Sequence, residues 1–192
     1  VRIVHIILPL IALASAPVAA ADVGGRIDAA KGFYQKGDLA RAAHELETAL
    51  SDIQDRLGRT LSALMPAPLP GWQADEAEYE GLEGSSGGGL SVTRAYSKDA
   101  SSLNASIILD NPAVDAALEP QPPQQSVKTV KIGAETAILR WDGASRSGDI
   151  SLVLGKRLLL RIEGDDLANG DALIEAAKGF DQVAIRKAVG VN

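Results

Sequence analysis

From Asp22 to Met65, apolar residues recur at steps of three and four, the spacing that gathers one face of an α-helix. Ile27, Ala30 and Tyr34 share one side of a first helix. Gly37 and Asp38 then supply a stop and a start, because glycine tolerates a left-handed cap and aspartate accepts from free backbone N–H groups. The second helix has the clearer stripe: Leu39, Ala42, Ala43, Leu46, Ala49, Leu50, Ile53, Leu57, Leu61 and Leu64. Its other face is charged, with Arg41–Glu45, Asp52–Arg56 and Asp55–Arg59 at i,i+4 spacing. Exposed pairs of this kind contribute roughly a few tenths of a kcal/mol each, so burial of the stripe has to dominate. Gly58 weakens the helix by about 1 kcal/mol relative to alanine and marks a candidate bend. The run Pro66-Ala67-Pro68-Leu69-Pro70-Gly71 ends the helix, since proline cannot continue it, and Trp72 anchors the start of the next domain as a core or domain-interface residue.

Beyond Trp72 the period changes to two. Strands are predicted near 72–79, 90–97, 102–110, 127–132, 135–141, 149–154 and 157–163. Gly133-Ala134 and Gly155-Lys156 have the composition of two-residue hairpin turns. Links that short force antiparallel neighbours, because a parallel return needs about a dozen residues. Leu103–Leu109, Ile150–Leu154 and Leu158–Ile162 carry apolar residues on both faces, which asks for a cover on each side. The available covers are the hairpin, the segment Ala113–Leu118, and a helix from Asp171 with Leu173, Ile174 and Ala177 on one face. Gly179 interrupts that helix, and Asp181 caps a last turn carrying Val183 and Ile185. The predicted class is α+β: an N-terminal helical hairpin (22–65), a Pro-rich link (66–71), and a domain (72–192) whose mainly antiparallel sheet of about 6–7 strands is covered by helices and closed by a C-terminal helix.

Ahead of the hairpin, Arg2 precedes an apolar run from Ile3 to Ala16, followed by Pro17, Val18 and Ala19-Ala20-Ala21. A charged start, a greasy centre and a small-residue end are the parts of a secretory signal. The run is broken by His5 and Pro9 and is short of the ~20 apolar residues that span a bilayer. Residues 1–21 are therefore expected to be cleaved, leaving a periplasmic protein with no stable membrane insertion.

Charge and side-chain inventory narrow the function classes. The formal net charge is −6 and no basic run is present, which disfavours nucleic acid and anionic lipid as partners. There is no cysteine, so disulfides, thiolate catalysis and Cys-ligated zinc are excluded. The two histidines are His5, inside the leader, and His44 on the charged side of the second helix. A Ser-His-Asp triad or a multi-histidine metal site has almost nothing to draw on. Gly84-Ser85-Ser86-Gly87-Gly88-Gly89 lacks the following helix N-terminus of a phosphate cradle and reads as a hairpin loop. Asp165 to Asp171 has the acidic start of a calcium loop, but Leu167 and Ala176 stand at its third and twelfth positions, so capping by acidic residues accounts for it better. The segment 119–125, with Pro120, Pro122 and Pro123, reads as a spacer. No catalytic, cofactor-binding or metal-binding residue is nominated, and no cofactor is expected.

Gly32-Phe33-Tyr34-Gln35-Lys36-Gly37-Asp38-Leu39-Ala40-Arg41-Ala42, continued by Leu46, Ala49 and Leu50, resembles a single tetratricopeptide unit. No second copy follows, and such arrays need about three units to close a core. The Pro-Gly-Trp entry, the antiparallel meander and the closing Gly179-Phe180-Asp181 resemble PsbP-like α+β proteins. With Met65-Pro66-Ala67-Pro68-Leu69-Pro70-Gly71-Trp72 as the link, the whole chain is similar to a family of secreted proteins of Gram-negative bacteria. The resemblance implies a non-catalytic binding or assembly role and carries over no catalytic residue. The expected partner is a protein, or a second copy, met through the hairpin. A carrier of a small apolar or amphipathic ligand and a carboxylate-dependent hydrolase are the alternatives.

Overall fold

A computed structural model describes residues 22–82, 88–119 and 126–191. The expected signal 1–21, most of the glycine-rich loop and the three prolines of the 119–125 spacer lie outside the described residues. The chain parts into two compact units, Val1–Ala49 and Leu50–Asn192. The division falls inside a helix, upstream of the Pro-rich link where composition alone places a boundary.

The first unit holds helix α1 (Val23–Gln35) and the opening of α2 (Leu39–Ser62). Gly37 turns the chain at φ +76°, and Asp38 Oδ1 accepts from the Arg41 N–H at 3.3 Å, as the stop and start signals predict. The buried residues described here are alanines: Ala30, Ala42 and Ala49. Ile27 and Tyr34, expected to be buried beside Ala30, are 46% and 69% exposed. A short side chain lets helix backbones approach closely, and the longer ones flanking it are left at the rim. Two of the predicted i,i+4 partners pair elsewhere: Arg41 with Asp38 at 2.9 Å, and Glu45 with Arg26 of α1 at 3.4 Å. The Arg41 guanidinium also lies 5.3 Å from the Phe33 ring centre.

The second unit is built on one antiparallel sheet of eight strands: β1 (Gln73–Ala74), β2 (Glu78–Gly81), β3 (Leu90–Lys98), β4 (Ser101–Leu109), β5 (Ser126–Ile132), β6 (Glu135–Asp142), β7 (Ser147–Leu154) and β8 (Leu158–Asp165). The order is β1-β3-β4-β8-β7-β6-β5, with β2 also pairing β3. The expected strand at 72–79 is two strands. Ala74 opposes Tyr96 and Glu78 opposes Thr93, so three intervening residues span two on the partner, an extra residue that breaks the ladder. The β5–β6 turn is Gly133-Ala134 as predicted, but Leu154 pairs with Leu158, so the β7–β8 turn has three residues, with Gly155 and Lys156 both at positive φ.

One sheet face forms the core. Leu103, Ile107, Ile150, Leu152, Leu160 and Ile162 are buried there, with Leu173, Ala176 and Ala177 of helix α4 (Asp171–Lys178) and Ile185 of α5 (Gln182–Val189). Gly164 leaves room for its neighbours: a Cβ there would come 2.7 Å from Leu167, 2.8 Å from Leu103 and 3.0 Å from Leu173 of α4. Asp181 caps α5 as expected, Oδ1 accepting from the Ala184 N–H at 2.9 Å, but Val183 is 78% exposed and only Ile185 of that turn is buried. The C-terminal part of α2 closes the same core through Leu57 and Leu61, and Leu64 in the turn after it adds to the packing. Gly58 serves packing: any Cβ would run into the Tyr79 ring, while the helix continues unbroken to Ser62. The Pro-rich link is part of this packing, since Pro66 is buried and its carbonyl accepts from the Tyr96 hydroxyl at 2.7 Å.

Candidate functional site

The opposite sheet face differs from the apolar surface expected of it. Side chains alternate across a strand, so the register assigns each residue to a row. One row is apolar: Ile108 opposes Leu159, which opposes Val153. Leu159 is buried, and the short helix α3 (Ala113–Ala116) with buried Val114 lies over β4 and β8. The next rows are polar. Thr93, Ser106, Arg161 and Ser151 form one. Ala95, Asn104, Glu163, Asp149 and Arg140 form the next. The doubly apolar reading thus holds for a single row, because the residues alternating with the core leucines are mostly serine, asparagine and charged groups.

A connected ionic array lies in these rows. Arg140 donates from Nη1 to Asp149 Oδ2 at 3.0 Å, the two side chains only 7% and 11% exposed. The Ser151 hydroxyl donates to the same oxygen at 2.9 Å. Arg140 Nη2 donates to the Ala117 carbonyl at 2.7 Å, tying the end of α3 to the sheet. Arg161 Nε is 3.6 Å from Asp149 Oδ2, is buried and makes no hydrogen bond, while its Nη2 lies 2.9 Å from Glu163. A hydrophobic cluster of similar volume would carry a lower desolvation cost at this position.

Small side chains beside the array leave a groove of about 630 Å³ whose lining includes Asp75, Ser97, Ser102, Asn104, Ser147, Asp149, Arg161, Glu163 and Asp165. A second hollow of about 290 Å³ beside α3, lined also by Arg140, shares Asp149 and Arg161 with it. Polar hydroxyls and mixed charge suit a hydrated polar group. By contrast, the apolar pocket at Pro66, Leu69, Trp72 and Tyr96 holds about 10 Å³, room for one water at most. The Tyr96 phenol beside it is pushed up to about 12 by burial, with Arg94 opposing. At the β6–β7 turn Asp142 is held below the ordinary carboxylate range, chiefly by the Ala144 N–H donated to it.

The second unusual surface is on α2. Leu39, Leu46, Leu50 and Ile53 lie on the same helical stripe as Leu57, Leu61 and Leu64, yet they are 61%, 52%, 49% and 44% exposed. The stripe is covered at its C-terminal end and open over its first four turns.

The residues weighed from sequence take various places in the fold. His44 is exposed. Trp72 packs partly buried against the core, in agreement with its expected structural role. At the start of α4 it is the Asn169 amide oxygen, accepting from the Asp171 N–H at 2.9 Å, that satisfies the backbone; the expected capping by acidic residues is not what holds this end. Among the described residues no group of three or more His, Asp or Glu side chains is placed to hold a metal ion. None of the described helices is long and apolar enough to cross a membrane. The Arg140–Asp149 pair was missed, although a signal exists: opposite charges lie two residues outside each end of the Asp142–Ser147 turn, where an antiparallel hairpin brings them face to face.

Comparison with family models, with curated proteins and with solved structures finds no match to the chain. The fold is therefore described by its own architecture, an α+β chain with two N-terminal helices, an eight-stranded antiparallel sheet and C-terminal helices.

Proposed function

We propose that this chain is a non-catalytic module that acts through protein–protein contacts in the periplasm, after removal of residues 1–21, and that the open stripe of α2 is its contact surface. One observation carries the reading: four large aliphatic side chains at helical spacing stand about half exposed along one face. They offer on the order of 400 Å² of apolar surface, within the range of the largest patch found on ordinary monomers, which is often functional. The resemblance to tetratricopeptide and PsbP-like proteins belongs to the same proposal and supports an assembly role.

The test is a photo-crosslinking amino acid at position 46 in the living cell. A discrete crosslinked band, lost when Leu50→Glu is added, is the expected result. No band at any exposed stripe position would remove the reading. Mass analysis of periplasmic protein beginning near Asp22 checks the compartment.

A carrier of an apolar ligand has less behind it, because the described apolar pocket has about 10 Å³ of room. The hydrolase alternative draws on Asp75 and Asp165, which line the polar groove and form no ion pair among the described residues. Asp149 and Glu163 in the same groove are engaged by arginines.

A further inference from the structure

We infer that Asn169-Gly170, in the link from β8 to α4, is a self-modification site: the Gly170 backbone nitrogen closes on the Asn169 side chain, ammonia leaves, and water converts position 169 to aspartate or isoaspartate.

The local structure favours the reaction. Gly170 has no Cβ to crowd the attacking nitrogen. Its N–H makes no hydrogen bond among the described residues, so no acceptor holds the proton that has to leave. Asn169 is exposed, within reach of water and base. Its Oδ1 accepts from the Asp171 N–H at 2.9 Å. That oxygen gathers negative charge when the nitrogen adds to Cγ, and a donor already aimed at it steadies the intermediate as an oxyanion hole does.

The step balances without an oxidant or a cofactor. A bond forms between Gly170 N and Asn169 Cγ. The bond from Cγ to the amide nitrogen breaks, and that nitrogen leaves as ammonia with the Gly170 proton. The cyclic imide then takes up water. Opening at Cγ restores the ordinary backbone with an aspartate, whose charge suits the positive end of α4. Opening at the backbone carbonyl routes the chain through the side chain, adding a methylene between β8 and the fully buried Leu173 of α4.

Asp142-Gly143, in the β6–β7 turn, supplies the comparison. Ring closure there has to expel the oxygen of a carboxyl group, which requires the neutral acid. Asp142 accepts from the Ala144 N–H at 2.8 Å and is held below the ordinary carboxylate range, so it stays ionised and unreactive at neutral pH.

The experiment is a long incubation of the full purified chain in warm, mildly alkaline buffer, with tryptic peptides 162–178 and 141–146 followed by mass spectrometry. Isoaspartate is counted by enzymatic methylation. Peptide 162–178 is expected to gain the mass difference between an amide and an acid, faster as pH rises, and to carry isoaspartate, while 141–146 stays unchanged. Gly170→Ala should react several-fold more slowly with an unchanged circular dichroism spectrum, because φ is −74° there and the new Cβ would meet Leu139 at 3.4 Å. The folded chain should react at least as fast as the chain unfolded in guanidinium chloride, since the Asp171 donor belongs to the fold. An unmodified 162–178 peptide overturns the inference. A folded chain slower than the unfolded one overturns it too, and so does a Gly170→Ala variant that reacts at the wild-type rate.

Discussion

Replacing Asp149 by alanine tests the ionic array most directly. In the wild type its Oδ2 takes hydrogen bonds from Arg140 at 3.0 Å and from Ser151 at 2.9 Å, with side chains 7% and 11% exposed across the ion pair. Removing the carboxylate leaves the Arg140 guanidinium surrounded by β6, β7 and the end of α3 with only neutral acceptors, the Ala117 carbonyl at 2.7 Å and the Ser151 hydroxyl at 3.5 Å. An uncompensated charge at such a site costs about 3–5 kcal/mol. For a unit of this size that lowers Tm by roughly 10 °C, at ~2–4 °C per kcal/mol. The double variant Arg140→Met/Asp149→Leu removes both charges and keeps the volume. It should recover to within about 2 kcal/mol of wild type, the remainder being the Ala117 carbonyl left without its donor. Urea titration followed by tryptophan fluorescence reads both changes, since Trp141 is adjacent to Arg140 in sequence and Trp72 packs on the core. A loss below about 1 kcal/mol for Asp149→Ala, the worth of an exposed pair, would refute the account of a buried array. So would a double variant no better than the single.

Three further outcomes rest on the packing. On one helical stripe, Leu61→Ala should cost about 2–5 kcal/mol because Leu61 is fully buried, while Leu46→Ala should stay within about 0.5 kcal/mol in a dilute sample; equal losses in urea titration would contradict the split in burial. Gly89→Ala should destabilise by more than about 2 kcal/mol, since Gly89 has φ +98° and a Cβ would collide with the Leu109 carbonyl oxygen; an unchanged melting curve would speak against that approach. Tyr96 has its pKa raised from 10.0 to about 12, so its contribution is intact below about pH 10 and declines as pH rises through about 12. Tyr96→Phe should cost about 1 kcal/mol at neutral pH by leaving the Pro66 carbonyl unpaired, and should lessen the loss of stability between pH 10 and 12; identical alkaline profiles would count against it.

The elements that local chemistry dictates were legible in the sequence. The α2 stripe, the Gly37-Asp38 turn, the Gly133-Ala134 hairpin, the start of α4 at Asp171 and the Asp181 cap all depend on residues within a few positions of one another. What depends on non-local pairing was not. β4 lies beside β8, some fifty residues on, and this neighbourhood sets Ser106 and Asn104 next to Arg161 and Glu163. Alternation along these strands sets Arg161, Glu163, Asn104 and Ser106 on the face opposite the core leucines, but it cannot show which of them stand side by side. The break between β1 and β2 is hidden for the same reason, being a mismatch of register with β3 and visible only once the partner is known. On α2, periodicity marks every stripe residue alike and cannot tell Leu61, under the sheet, from Leu46, in water.

That difference along one helix has a consequence for its motions. The backbone of α2 is continuous from Leu39 to Ser62, but its far end is pinned by Leu57 and Leu61 while its near end has mostly alanines to hold it. Amide hydrogens near Leu61 should exchange with solvent only when the whole sheet unit opens, whereas those near Leu39 exchange by fraying. Protection therefore climbs along the helix in steps, and anything that grips the near end will be recorded as slower exchange there while the far end stays at the ceiling set by global unfolding.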